Sequence, residues 1–291
     1  MSIRVYLWTT FFRFCVSNAV CDLIELMSSK TQKELAFLRD LYIDEQWTQK
    51  FTDLVDKHIG FAKEEKLLYI NAGTGNHALA LSKKLGKNAE FYATTENKDV
   101  LTIAHDKAAA VRAKIDFSMK RFDDETFSGV IADASFVRPD ELQNFVSEAS
   151  RVTEIGGKVV FFTVSAGSFG EVFSFLWEVF FNENLADNGA VTEQLISEIP
   201  TVSRLEEISQ NAGLEKIETH TQRELFDYKN GKEFIEAPLI ADFFLPIWFK
   251  SLNKKEQTVA RKKLVSLIDA EDVALTFCFS IKATLVIAEK A

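Results

Sequence analysis

The spacing of hydrophobic positions changes along the chain, and these changes outline its elements. Between residues 31 and 59 apolar side chains recur at helical spacing, which predicts one or two amphipathic helices. Further on, short apolar runs alternate with helical stretches. The predicted strands lie near residues 67–70, 91–95, 114–117, 129–132 and 158–164. Strands that alternate with helices in this way indicate a parallel sheet covered on both faces.

Two boundaries of the helix before the fifth strand follow from local chemistry. Pro139 suits the first turn of a helix, where its missing N–H costs nothing, and the helix is expected to run to about Val152. Gly156 and Gly157 are predicted to close that helix before the strand at 158–164.

The alternation of strands and helices stops after Val164. A stripe of apolar residues from Phe169 to Phe181 predicts a buried helix. Thr201 or Ser203 is predicted to cap a further helix that ends at Gly213. Two strands, at 214–222 and 276–288, are expected to close the fold.

The first 26 residues are interpreted separately from the rest. Charged residues interrupt this apolar stretch, so no run approaches the roughly 20 apolar residues of a membrane span. Met27 is followed by polar residues typical of a protein start. We therefore expect residues 1–26 to be an upstream extension and 27–291 to be a single domain. A helix that lies on a membrane surface is the alternative.

Composition narrows the partners. The 26 Phe residues, against 5 Tyr and 4 Trp, imply a large dry core or an apolar pocket. The net charge of −9, without a dense basic run, argues against nucleic acid as a partner. Three scattered cysteines and four histidines without ligand spacing predict neither a disulfide framework nor a metal site. A reducing cytoplasm is the expected compartment.

Residues 67–75, Leu-Leu-Tyr-Ile-Asn-Ala-Gly-Thr-Gly, run from an apolar strand into a glycine-rich loop. Such a loop must turn sharply and bring its backbone N–H groups close to a ligand, and a Cβ atom would obstruct that approach. Asn71 tolerates positive φ better than most residues, so it is compatible with the turn.

This segment resembles the first motif of class I S-adenosylmethionine-dependent methyltransferases, in which an acidic residue precedes a Gly-x-Gly-x-Gly loop. Gly73 and Gly75 match the last two glycines, Asn71 replaces the first, and Tyr69 replaces the acidic residue. The resemblance implies S-adenosylmethionine as the cofactor. It also implies cofactor contacts from the loop residues Asn71, Ala72, Gly73, Thr74 and Gly75.

Two further segments extend the resemblance over about residues 66–290. The family's second motif is an acidic residue that ends the second strand and accepts the ribose hydroxyls; alignment places Thr95 there, with Glu96 immediately after. Residues 128–133 resemble the fourth strand, and Asp133 takes the position near the transferred methyl group. Asp133 is thus the candidate catalytic residue and a cofactor contact. Capping of the turn after this strand is its alternative role.

The fold class implied is an α/β three-layer sandwich. It has a mostly parallel seven-stranded sheet with a final antiparallel strand, N-terminal helices over 31–59, and helical lid insertions about 168–200 and 225–272. The apolar lid segments 168–184 and 231–251 predict a small, apolar or aromatic acceptor; a homodimer interface is the other use of such surface.

Two other functions stay open. Residues 73–78 also satisfy Gly-x-Gly-x-x-Ala, a dinucleotide fingerprint, with Glu96 about twenty residues further on, which is the pattern of an NAD-binding oxidoreductase. Tyr69 and Thr95 leave open a methyltransferase-like scaffold that has lost its cofactor. Among the histidines, His77 and His105 are expected to lie on solvated helix surfaces; a contact with the cofactor is the alternative for His77, which follows the glycine loop.

Overall fold

The computed structural model describes residues 30–270 and 276–291, apart from residues 62, 64 and 87. The predictions about residues 1–26 and a start at Met27 therefore lie outside the described residues. Within the described chain, no helix combines the length and the apolar character needed to cross a membrane.

The described chain forms one seven-stranded sheet in the order β3-β2-β1-β4-β5-β7-β6. Strands β1 to β5 pair in parallel, whereas β7 is antiparallel to both β5 and β6. The strands are β1 (Lys66–Ile70), β2 (Glu90–Thr94), β3 (Asp116–Ser118), β4 (Phe127–Asp133), β5 (Thr153–Ser165), β6 (Leu214–Tyr228) and β7 (Phe277–Lys290). This mostly parallel sheet with one antiparallel strand near its edge confirms the predicted fold class.

Helices cover the sheet. An N-terminal helical segment comprises α1 (Gln32–Leu38), a π-helix (Arg39–Thr48) and α2 (Gln49–His58). The others are α3 (Asn76–Ser82), α4 (Lys98–Val111), α5 (Leu142–Val152), α6 (Gly170–Asn182), a 3₁₀ turn (Ala186–Gly189), α7 (Ala190–Glu198), α8 (Val202–Asn211), α9 (Gly231–Glu236), a second π-helix (Leu239–Phe244), α10 (Leu245–Trp248) and α11 (Lys254–Ala270).

Successive strand residues belong to two separate hydrophobic clusters, one on each face of the sheet. On β4, Val130 packs in one cluster and Ile131 in the other. Because strand side chains alternate between faces, both must be apolar when both faces are covered. The short uninterrupted apolar runs of the sequence are the consequence, and the structure has the three expected layers.

For the helix before β5, the predicted end at about Val152 is confirmed, whereas the positions predicted for Pro139 and for the glycine pair are wrong. The helix α5 starts at Leu142, and Pro139 lies in the preceding turn, where the Glu141 N–H donates to the Arg138 carbonyl at 3.0 Å. The helix ends at Val152, so the glycine pair lies inside β5. A Cβ on Gly157 would lie 3.0 Å from the Ser128 carbonyl of β4, so this glycine serves strand approach instead of helix termination.

The apolar stripe from Phe169 to Phe181 is helical but not wholly buried. Trp177 and Phe181 are 40% and 52% exposed and stack on each other with ring centroids 5.1 Å apart. The helix instead buries a narrower face that includes Val172, Leu176 and Phe180. The apolar stripe is wider than the helix face that packs against the rest of the protein. Trp177 and Phe181 therefore remain partly exposed at the surface.

Candidate functional site

The glycine loop lies at the carboxyl end of β1, as a ligand site of this fold requires. Its backbone has positive φ at Asn71 (57°), Gly73 (55°) and Gly75 (87°). The Ala72 N–H donates to the Thr94 carbonyl at 2.8 Å, which ties the loop to the end of β2. The side-chain amide of Asn71 donates to the Asp133 carbonyl at 3.3 Å. Asn71 thus makes the turn and also joins the ends of β1 and β4.

Close packing explains the two glycines. A Cβ on Gly75 would lie 2.8 Å from the Phe117 ring, so no larger residue fits. A Cβ on Gly73 would lie 3.2 Å from Nε of Arg39, a side chain that comes from the N-terminal π-helix. Thr74, between them, is fully buried, and its hydroxyl donates to Asp40 at 2.7 Å. The loop is therefore covered by the N-terminal helical segment.

Glu96 and Thr95 follow β2 and are both buried. The Thr95 hydroxyl donates to the Asn97 carbonyl at 3.4 Å, so it is engaged locally. The Glu96 carboxylate forms an ion pair with Arg39. Neither of its oxygens accepts a conventional hydrogen bond from the described residues. Of the two candidates, Glu96 is the one that presents a carboxylate beside the glycine loop.

Asp133 ends β4 and is almost fully buried. Its Oδ1 accepts the Ser135 N–H at 2.8 Å, which is the turn-capping role considered as its alternative. Burial raises the pKa of its carboxyl group, an effect that the nearby positive charge of Arg39 opposes. A carboxyl group with a raised pKa takes up a proton more readily than an exposed one. The capping hydrogen bond to Ser135 is therefore compatible with a role of Asp133 as a proton acceptor.

The sequence alone did not predict a role at the site for three further residues, Arg39, Asp40 and Asp44. They lie on the π-helix: Asp40 accepts from Thr74 and Lys107, and Asp44 accepts from Asn76. The Arg39 guanidinium also lies over the Phe136 ring, 5.6 Å from its centroid. The sequence did show a group of charged residues within an otherwise amphipathic pattern. Such charges ordinarily indicate a helix face exposed to solvent, so they did not point to a site.

Tyr69, at the acidic position of the family motif, is buried within the fold instead of carrying charge. Its hydroxyl lies 3.1 Å from Nδ1 of His77, whose Nε2 lies 3.4 Å from Asp56. The hydrogen bond with His77 lowers the pKa of Asp56 to about 2. The expectation that His77 is solvated is wrong, since its side chain is only 8% exposed; His105 does lie on an exposed helix face.

A cavity of about 190 Å³ lies beyond the ends of β4 and β5, between the sheet and the helices that follow β5. Apolar side chains dominate its lining, among them Phe136, Phe173, Leu195 and Trp248. The Ser135 hydroxyl also lines it; this buried group has no hydrogen-bond partner among the described residues. The lining of the cavity is thus mainly apolar, and it also includes the charged residues Arg138, Asp140, Glu198 and Lys250. Among the described lining residues, the buried polar group without a hydrogen-bond partner is the Ser135 hydroxyl, two residues after Asp133.

Trp47 connects the N-terminal segment to this cavity wall. It is fully buried, and its ring centroid lies 5.4 Å from that of Phe136 and 4.9 Å from that of Phe244. It also contacts Phe51, Phe169 and Phe226. One indole therefore packs against the loop after β4 and against the π-helix over the cavity.

The sequence comparisons concern the part of the chain that holds this site. A family model described as "Methyltransferase domain" matches residues 68–161, which run from β1 into β5 and contain the glycine loop, Glu96 and Asp133. No curated protein matches the chain.

Solved structures share the fold at low identity. A proposed methyltransferase from Bacillus halodurans C-125 is 18% identical, with a TM-score of 0.54 over 83% of this chain and 99% of the other. The YcgJ protein of Bacillus subtilis is 15% identical, with a TM-score of 0.52 over 84% and 98%. Phosphoethanolamine N-methyltransferase 2 of Haemonchus contortus, solved with S-adenosyl-L-methionine, is 13% identical, with a TM-score of 0.53 over 94% and 60%.

Proposed function

We propose that this chain, which carries a methyltransferase domain with the class I S-adenosylmethionine-dependent fold, transfers a methyl group to a small apolar or aromatic acceptor. One observation supports this most directly. A buried carboxylate, Glu96, and a glycine loop of positive φ stand side by side at adjacent strand ends, next to an apolar cavity.

The residues at the loop fit the cofactor. Glu96 offers a buried carboxylate whose Oε1 pairs with Arg39 and whose Oε2 has no hydrogen-bond partner in the described chain, and such a group suits ribose hydroxyls. Gly73 leaves space that a Cβ would restrict, and only the flexible end of Arg39 lies there now. We assign the cofactor contacts to Asn71, Ala72, Gly73, Thr74, Gly75 and Glu96, with Thr95 as a backbone support and Asp133 beside the reacting group.

The cofactor supplies a methyl group on a positively charged sulfur, which is reactive without a protein nucleophile. The chain's own task is to orient the acceptor and to exclude water. Water would be excluded by the apolar wall of the cavity, which includes Phe136, Phe173 and Trp248. Asp133 directly precedes the loop that lines the cavity, and burial raises its pKa; we propose that it takes a proton from an acceptor that must lose one. For the Ser135 hydroxyl, we propose that it orients a polar atom of the acceptor.

The proposed acceptor class follows from the cavity's lining. The bound phosphomonomethylethanolamine of one Haemonchus contortus complex is a polar molecule. Here aromatic and aliphatic side chains predominate, and such walls select apolar ligands that carry few polar groups. We therefore expect an acceptor with one hydroxyl, thiol or carboxyl group on an apolar body. We also expect the protein to act in the cytoplasm and not to bind nucleic acid.

A scaffold protein without cofactor affinity is the second candidate. The observation that favours it is Arg39, which pairs with Glu96 at the position where ribose would bind. An NAD-binding oxidoreductase has no comparable support, because the β5-β7-β6 edge with its antiparallel strand is that of the methyltransferase fold.

Calorimetric titration separates these functions. We expect S-adenosylhomocysteine to bind one-to-one and NAD not to bind. Glu96→Ala should weaken binding of S-adenosylhomocysteine at least tenfold, because hydrogen bonds to a charged group contribute about 1.5–3 kcal/mol. Glu90→Ala, which removes an exposed carboxylate at the start of β2, is the matched control and should bind normally. Absence of heat with S-adenosylhomocysteine at high concentration would favour the scaffold.

A further inference from the structure

A single side chain from the N-terminal segment fills the space between the loops of the proposed cofactor site. Arg39 lies against Gly73 after β1, pairs with Glu96 after β2, and covers Phe136 after β4. Its side chain is only 13% exposed. The same three loops converge on the cofactor in the function proposed above, so the position of Arg39 matters for binding.

Arg39 and a nucleoside would use the same carboxylate. Among the described residues, the ion-pair partner of Glu96 is Arg39, and the guanidinium lies where Gly73 allows close approach. Hydroxyl groups that hydrogen-bond to Glu96 would have to replace this ion pair. The two partners are therefore in competition, and a buried ion pair is a strong competitor because breaking it leaves charge unpaired.

The π-helix that carries Arg39 is held differently at its two ends. Near Arg39 the contacts are polar: Asp40 accepts from Thr74 and Lys107. At the other end Trp47 is fixed in the aromatic cluster. Polar contacts can be exchanged for water, whereas the burial of an indole cannot, so movement is easiest at the end that carries Arg39.

From this geometry we propose that Arg39 is a gate. It occupies the cofactor site of the free protein, and a nucleoside cofactor binds only when Arg39 leaves Glu96. The inference rests on the proposed function, since it assumes that Glu96 and the glycine loop receive S-adenosylmethionine. It adds that the N-terminal segment sets the apparent affinity, because an occluded site lowers that affinity by the fraction of molecules that are open.

The test compares S-adenosylhomocysteine binding to the full chain and to variants, by calorimetry and by stopped-flow association. Arg39→Ala should bind about tenfold more tightly and associate faster, because no side chain competes for the site. Arg39→Gln, which keeps most of the side chain's bulk but no charge, should shift the same way and serves if the alanine variant does not fold. Lys50→Ala is the matched control: it breaks another ion pair of the N-terminal segment, the one with Glu224 at 3.1 Å, away from the glycine loop.

The outcomes separate the gate from the function. Tighter binding in both Arg39 variants but not in Lys50→Ala supports the gate. Unchanged or weaker binding in the Arg39 variants overturns it, while the cofactor site itself stands. Absence of binding in the full chain and in every variant overturns the proposed function and the gate together.

Discussion

The two halves of the cleft at the strand ends are built in opposite ways. The half beside β1 and β2 is polar and filled: Glu96, Arg39 and the glycine loop are in contact, with carboxylates of the π-helix around them. The half beside β4 and β5 is apolar and hollow, with a cavity of about 190 Å³. The first is defined by charge and backbone shape, and the second by side-chain volume.

This difference indicates which part is specialised. In the proposed function, the half built from backbone conformation and one carboxylate would bind the cofactor, which many proteins of this fold share. The cavity lined by Phe136, Phe173 and Leu195 would select the acceptor by its shape. Substitutions in one half should therefore leave the other half intact, except at Trp47, which lies on the same π-helix as Arg39 and packs against the cavity residues Phe136 and Phe244.

The largest effect is expected at Trp47. Trp47→Ala removes a fully buried indole that packs against Phe136 and Phe244, and should lower the free energy of unfolding by about 3–5 kcal/mol. Chemical denaturation measures this change. Trp177→Ala, at a side chain that is 40% exposed, is the control and should cost about 1 kcal/mol or less. Equal losses in the two variants would show that the packing of Trp47 against Phe136 and Phe244 does not hold the π-helix in place.

Asp133→Asn should separate catalysis from stability. The turnover of S-adenosylmethionine with an apolar acceptor should fall about a hundredfold, the usual contribution of a proton acceptor. Because burial raises the pKa of Asp133, the folded protein loses stability as pH rises from the unfolded value through the raised one. Asparagine removes that loss, so the variant should melt at the same temperature as the parent protein or higher at neutral pH.

Asp116→Asn, at an exposed carboxylate at the start of β3 that pairs with Lys120 at 3.8 Å, is the control for this prediction. It should change neither turnover nor melting temperature appreciably. If Asp133→Asn keeps full turnover but melts earlier, the carboxylate acts only as a cap for the turn at Ser135.

Gly75→Ala should disturb the polar half alone. The residue has φ 87°, and a Cβ would lie 2.8 Å from Phe117, so we expect a loss of about 1–3 kcal/mol in unfolding free energy together with weaker S-adenosylhomocysteine binding. Gly60→Ala, which meets nothing within 4 Å, is the control and should change the unfolding free energy by less than about 1 kcal/mol. Chemical denaturation measures the free energy of unfolding, and calorimetric titration measures the affinity for S-adenosylhomocysteine.

Leu195→Trp should disturb the hollow half alone. A larger side chain in the cavity wall should raise the KM for the acceptor about tenfold, since steric overlap with a ligand costs on the order of 1–3 kcal/mol. Affinity for S-adenosylhomocysteine should be unchanged. If both affinities fall together, the cleft does not consist of two separable halves.

The smallest effect concerns pH. The hydrogen bond with His77 lowers the pKa of Asp56 to about 2, so its contribution to stability is complete above pH 3.8 and is lost as pH falls toward 2. The melting temperature of Asp56→Asn should therefore fall less steeply over this interval than that of the parent protein. Parallel curves would show that the contacts of Asp56 with His77 and Lys84 add nothing to stability.

The sequence predicted the sheet better than the site. Alternating periods identified β1 to β5 and the late strands β6 and β7, because burial on both faces forces apolar runs. Boundaries such as Pro139 and Gly157 were misassigned, since the close approach of β5 to Ser128 depends on strand packing. Arg39 could not be assigned a role from sequence, because its contacts with Gly73 and Glu96 form only when distant segments meet.

The central claim is that the cofactor binds at the glycine loop, beside the cavity. The most direct test of this claim is a crystal structure of the full chain with S-adenosylhomocysteine. We predict density for the nucleoside between Gly73 and Glu96, with Arg39 moved away from the carboxylate and the sulfur facing the cavity beside Ser135. Density elsewhere, or an Arg39–Glu96 pair that persists at saturating ligand, would contradict a cofactor site at this loop.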